Sequence, residues 1–196
     1  MAEPTLPKRA CLLAAAMSVI LVATGLAAAP TPAAEETPQA REQARLCERL
    51  DEDAGLEACR AALELGLGPE RRNAVREVLA KHLVDLERWS ELADHYREDV
   101  RLEPEAAEAW VRLGSALLFA LNEKAEALAA LEEAARLDPF DASSWALLAL
   151  ARHALGRYQE SVAAFDEALL LDATVLDGRP AAQAVRAAAR RGEPWP

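Results

Sequence analysis

"WVRLGSALL", residues 110–118, places a leucine three residues after a tryptophan and a glycine directly after the leucine. "WALLALARH" opens the same way at Trp145, 35 residues on, with Ala149 where the glycine stood. A glycine inside a helix is about 1 kcal/mol less favourable than alanine, so Gly114 within a helical pattern needs a physical reason. The prolines of "LEPEA" and "LDPFD", Pro104 and Pro139, are also 35 residues apart, and each separates two amphipathic patterns. A proline ends one helix and permits another to start. Two independent markers with one period indicate a repeating unit.

Each unit divides again. "AAEAWVRLGSALLFAL" and "KAEALAALEEAARL" are two helical patterns joined near Asn122–Glu123; "ASSWALLALARHAL" and "RYQESVAAFDEALLL" are two more, separated by Gly156. The unit is a helix hairpin, and one hairpin cannot bury both of its faces, so neighbours must stack. The position of Gly114 then reads as the closest crossing of the paired helix. Alanine is expected to be tolerated there and leucine is not.

The rest of the chain fits an all-helical reading. Runs rich in Val, Ile and Thr are absent after residue 30, which argues against a sheet. A formal charge of -11 repels phosphate backbones, and the densest basic groups are only Arg71–Arg72 and Arg186, Arg190, Arg191, so nucleic-acid binding is disfavoured. At the amino terminus, Lys8 and Arg9 precede an apolar run from Ala10 to Ala29 that ends in small residues. That run reads either as a cleaved signal peptide or as an inner-membrane anchor (residues 1–29), the only contact with a membrane that the sequence suggests. Either way residues 35 onward are exported, to the periplasm or beyond. Residues 30–40, "PTPAAEETPQA", read as a flexible linker.

Export leaves Cys47 and Cys59 in an oxidising compartment, where two cysteines suggest a disulfide. They are equidistant from Asp53, in a stretch that reads as two short helices turning around Asp51 to Gly55. A bridge would stabilise by roughly 2–3 kcal/mol. Two small buried thiols are the other reading.

The repeat residues resemble the tetratricopeptide repeat. Trp110, Leu113, Gly114 and Leu117 match its first helix, and Ala127, Leu131, Ala134 and Pro139 its second helix and terminator, with one residue inserted between Leu121 and Lys124. Trp145, Leu148, Ala149, Tyr158, Ser161, Phe165 and Ala168 follow in the next copy, with Ala173 where proline is usual. Leu79, Ala80, Leu83, Trp89, Leu92, Tyr96 and Pro104 form a divergent earlier copy, in which Asp99 departs from the small-residue rule. The resemblance implies an all-α, right-handed α-solenoid of stacked antiparallel hairpins. Its repeats would be residues 73–106, 107–141 and 142–175, after a degenerate hairpin at 41–72 and before a capping helix and tail at 176–196.

The family binds peptides in a concave groove, which implies a non-enzymatic protein-interaction module whose partner is another protein; the style of the leader and the Ala/Leu/Arg-rich composition point to a bacterial envelope. Projected onto this chain, the groove residues are Lys81, Val84, Val111, Ser115, Leu118, Phe119, Leu150 and His153. An apolar groove of this kind suits an amphipathic helix or peptide; the chain's own tail, with Trp195, or its linker could cover it instead. Only Lys81 and Arg112 lie near the positions with which one subgroup clamps acidic carboxy-terminal peptides, so such tails are disfavoured. The rival role is a self-associating spacer without a peptide ligand. Catalysis has little support, and no cofactor or metal is expected. His82 and Asp85 share a helix face, as do Glu91 and His95, but no ligand motif accompanies them and all three histidines read as solvated.

Overall fold

The computed structural model describes residues 36–50 and 52–194. The leader, residues 30–35 of the linker and Trp195 lie outside them. Among the described residues there are nine helices and no strand: α1 (Pro38–Arg49), α2 (Glu52–Glu64), α3 (Pro69–Asp85), α4 (Trp89–Leu102), α5 (Ala107–Phe119), α6 (Lys124–Leu137), α7 (Ala142–Ala154), α8 (Tyr158–Leu171) and α9 (Pro180–Arg191). No described helix is long and apolar enough to cross a membrane. Helices α1–α8 pair into four antiparallel hairpins, and α9 packs on α7 and α8 as a terminal cap.

Local chemistry sets these boundaries. Thr37 caps α1 by accepting from the Ala40 N–H at 3.1 Å, so the expected linker already ends there. Pro38, Pro69 and Pro180 each stand in the first turn of a helix, where the missing N–H would have had no partner. Helix α3 therefore starts at Pro69, four residues before the expected repeat boundary. The Trp110 and Trp145 indoles make the same bond one repeat apart, donating to the carbonyls of Pro104 and Pro139 at 2.9 Å. The turns inside the last three hairpins also agree: each contains one residue with positive φ, namely Glu87 (54°), Asn122 (57°) and Gly156 (75°).

Gly55, expected in the turn of the first hairpin, lies inside α2, which begins at Glu52. A Cβ on Gly55 would meet the Leu50 carbonyl and approach His82 Nε2 to 2.6 Å, so the missing side chain here makes room for α3. Cys47 and Cys59 are joined as a disulfide with their Cα atoms 4.6 Å apart, closing α1 onto α2 across a sequence separation of 12.

Gly114 packs against α6. A Cβ there would lie 2.6 Å from Leu131 Cγ and 3.3 Å from the Ala127 carbonyl oxygen. Close approach is thus the reason for glycine, but the expectation that alanine is tolerated does not hold. Leu131 is fully buried, and Cγ is the branching atom of its side chain, so it has nowhere to move. At the equivalent point in the next hairpin stands Ala149, fully buried, and the Ser161 hydroxyl of α8 donates to its carbonyl at 2.8 Å.

Successive first helices meet: α1 touches α3, α5 touches α7 and α7 touches α9. The backbones of the second helices α2, α4, α6 and α8 stay farther apart and meet through side chains, so the stack curves with its first helices on the inside. Long ion pairs bridge the outer side, Arg60 to Glu91, Arg97 to Glu126 (2.9 Å) and Arg186 to Asp166 (2.9 Å). The regular stacking fails once, since the backbones of α3 and α5 do not close on each other as the others do. The core divides near the same place. One apolar cluster runs from Ala40 to Leu92 with Ala116, another from Ala93 to Val185, and Tyr96 packs against both.

Candidate functional site

Among the cavities of the described residues, one is lined mainly by charged side chains and another mixes apolar with polar walls. The mixed one, about 480 Å³, lies at the turn ends of the second and third repeats. Leu118 and Phe119 of α5, Asn122 and Lys124 of the turn, His153 and Ala154 of α7, Tyr158 of α8 and Pro194 of the tail form its walls. Phe119 is 57% exposed, whereas Leu118 retains 7% and His153 2%. The His153 and Tyr158 rings are tilted against each other with centroids 5.1 Å apart.

This cavity brings together three of the residues assigned to the groove by sequence: Leu118, Phe119 and His153. The other five do not line it. Lys81 and Val84 lie exposed on α3, Lys81 3.4 Å from Asp85 in an exposed ion pair. Val111 and Ser115 are half-buried on α5, and Leu150 is buried in the core. The open groove is narrower than the sequence implied. Leu118 and Leu150 are taken up by packing within the larger apolar cluster, and the tail bonds His153, whose Nε2–H donates to the Glu193 carbonyl at 3.0 Å.

The expectation of solvated histidines is likewise corrected. All three donate Nε2–H to a backbone carbonyl of another element: His82 to Cys47 (3.0 Å), His95 to Arg76 (3.1 Å) and His153 to Glu193. Cys47 lies in the last turn of α1, where carbonyls have no intrahelical partner, so His82 satisfies one of them and ties α3 to the disulfide-closed hairpin. Buried polar groups keep such partners. No group of three or more His, Cys, Asp or Glu residues gathers as metal ligands among the described residues.

The polar cavity, about 430 Å³, has no counterpart in the sequence reading. It fills the gap between α3 and α5 above α4, and Arg72, Asn73, Arg76, His95, Tyr96, Asp99 and Arg112 contribute to its walls. Arg76 is paired with Asp99, each side chain only 14% exposed, and His95 Nε2 stands 3.7 Å from Asp99. Burial pushes the His95 pKa down, against the opposing pull of the Asp99 charge, and burial likewise pushes the Tyr96 phenol up. Arg112 bonds Glu108 at 3.1 Å, while its buried Nε has no hydrogen-bond partner among the described residues. With Arg76 committed to Asp99 and His95 to a carbonyl, the cluster can orient polar groups of a bound molecule, but it presents no nucleophile with its base.

A signal for this cavity is present in the repeat alignment. Position by position, Arg76 stands where the later copies have Trp110 and Trp145. Leu92 stands at Ala127 and Ser161, His95 at Ala130 and Ala164, and Asp99 at Ala134 and Ala168. Small residues on the second helix let neighbouring helices close in, so larger ones on α4 hold α3 and α5 apart.

Comparison with known proteins agrees with this architecture. The tetratricopeptide repeat profile matches residues 77–142 and 117–174, together half of the chain. No curated protein matches in sequence. Among solved structures, the TPR2B domain of yeast Sti1 in complex with pHsp70 is similar at 24% identity and a TM-score of 0.52, covering 59% of this chain and 94% of that one. MamA from Desulfovibrio magneticus RS-1 is similar at 19% identity and a TM-score of 0.56, covering 80% and 92%. A thermophilic TPR protein of Thermus thermophilus has 18% identity and a TM-score of 0.50, covering 78% and 98%. At these identities the likeness is one of fold. The profile and the stacked hairpins together show that the chain belongs to the tetratricopeptide repeat family.

Proposed function

We propose that this protein is a non-enzymatic scaffold of the bacterial cell envelope that docks a segment of another protein against the α5–α7 face. The observation that carries the reading is Phe119, a large apolar side chain 57% exposed on the wall of a 480 Å³ cavity, on the inner side of the stack. Exposed apolar surface beside a concavity is what a protein ligand buries. The Sti1 structures, in complex with pHsp70 and pHSP90, support a protein ligand for this fold. The apolar leader and the Cys47–Cys59 bridge support an oxidising, exported setting.

Photocrosslinking from position 119 in intact cells tests both parts. The expected result is a discrete adduct with a different protein, recovered in the periplasmic or inner-membrane fraction. Recovery in the cytosol overturns the location. Self-association is the second reading, favoured by Phe140 (81% exposed) and Leu170 (78%), which lie away from this cavity. An adduct of twice the chain mass would establish it instead.

A further inference from the structure

The mixed cavity opens where the middle repeat departs from the two around it. Helices α4, α6 and α8 each follow a residue of the same backbone shape: Arg88, Glu123 and Arg157 have φ of -85°, -84° and -83° and ψ of 61°, 66° and 61°. The next residue, the first of each second helix, is Trp89, Lys124 or Tyr158. Trp89 packs against the first apolar cluster, and the Tyr158 ring tilts against that of His153. Lys124 brings no ring to the same place, and it lines the cavity together with Phe119, Asn122 and Tyr158.

The charge of Lys124 is also uncommitted. Its side chain makes no hydrogen bond or ion pair among the described residues, whereas Lys81 lies 3.4 Å from Asp85. The carboxylates nearest to it in sequence, Glu123 and Glu126, are held by Arg97 at 3.2 and 2.9 Å. It stands in the first turn of α6, where the helix dipole disfavours a cation. Among the described residues no arginine, no carboxylate and no second lysine lines this cavity. In a chain of formal charge -11, the wall beside Phe119 is therefore locally cationic.

We propose that this cavity reads an acidic residue next to a large apolar one on the docked protein segment. The apolar side chain takes the place that an aromatic holds in the neighbouring repeats and covers Phe119, and the carboxylate beside it pairs with Lys124. The Asn122 amide and the Tyr158 hydroxyl are further donors on the same wall. Burial of Phe119 supplies the apolar driving force. The charge supplies the selection, because a basic residue set in the same place meets like charge. This inference rests on the docking role assigned to the α5–α7 face and adds the chemistry of the occupant.

The probe is acetyl-Phe-Asp-amide, titrated into the isotope-labelled full chain and followed by amide chemical shifts, with acetyl-Phe-Lys-amide as its counterpart. Saturable shifts are expected at Phe119, Asn122, Lys124 and Tyr158, with the lysine dipeptide about 10-fold weaker. Lys124→Glu should invert that preference. Lys124→Tyr, which installs the aromatic of the neighbouring repeats, should abolish binding of both dipeptides at unchanged helicity. Equal binding of the two dipeptides, or a preference that Lys124→Glu leaves as it was, overturns the charge selection. Undiminished binding to Lys124→Tyr overturns the cavity as the place of binding, and shifts elsewhere or none at all overturn the site. Failure of the docking role reads separately: no adduct with another protein from position 119 in cells refutes that role and leaves the dipeptide preference standing.

Discussion

The first repeat and the two that follow it share a backbone plan and differ in what fills it. In α5–α8, alanines and one serine at Ala127, Ala130, Ala134, Ser161, Ala164 and Ala168 sit between helices that close to contact, and tryptophans bond the preceding proline carbonyls. In α3–α4, leucine, histidine and aspartate take those places and arginine replaces tryptophan. The result is a cavity floored by charge. The period of a repeat fixes where helices run, whereas the volume at three or four positions decides whether neighbours seal or part.

The strongest way to break the comparison is at the charged pair. Asp99→Ala leaves the Arg76 guanidinium buried without a counter-charge, and removing one member of such a pair costs about 3–5 kcal/mol. Arg76→Trp combined with Asp99→Ala restores the residue types of the later repeats and is expected to recover most of that loss in urea denaturation. A single variant within about 1 kcal/mol of the parent would show that the pair is dispensable and that the cavity has another cause.

Acid sharpens the same contrast. The folded-state pKa of His95 lies below its ordinary 6.5, so on acidification the unfolded chain takes up the proton first. Stability tied to neutral His95 is complete above that ordinary value and is lost as pH falls below it toward the folded value. Paired carboxylates such as Glu91 beside Arg88 and Glu126 beside Arg97 are held below 4.5, and their contribution is lost only in more acid solution. His95→Ala, which installs the alanine of the later repeats, should flatten stability between about pH 7 and 5 and leave the more acid limb intact. An unchanged slope in that window would assign it elsewhere.

The smallest effect is in the turns. Glu87 occupies with a side chain the left-handed conformation that Gly156 adopts freely. Glu87→Gly is therefore expected to stabilise by about 0.5–1 kcal/mol, and Gly156→Ala to destabilise by a similar amount. Thermal melts with both signs reversed would mean that local contacts outweigh backbone preference at this turn.

Much of the fold is legible because it is written in period: Trp110 and Trp145, Pro104 and Pro139, and the Pro180 that opens the cap all lie where regular helices begin or end. Gly55 misleads because a glycine beside acidic residues looks like a turn, when His82 on another helix is what requires it. The histidines mislead for the same reason, since each partner lies 19 to 40 residues away and helix periodicity carries no information about it. The candidate site is half legible. Groove projection finds Leu118, Phe119 and His153, but it treats every inward position as open, and burial by neighbouring helices and the tail follows from packing rather than from spacing.

The division of the core bears on how the molecule comes apart. In a linear stack each unit leans only on its neighbours, so total stability is a sum of units and of the joints between them. The joint here is polar, lacks a close α3–α5 backbone approach, and is spanned on the apolar side by Tyr96 and Ala116. The segment before it is closed by the disulfide and the segment after it is sealed by α9, so each has reinforcement of its own. Heat or denaturant should accordingly separate two cooperative blocks rather than melt one, with backbone amides near His95 exchanging with solvent sooner than those around Leu131.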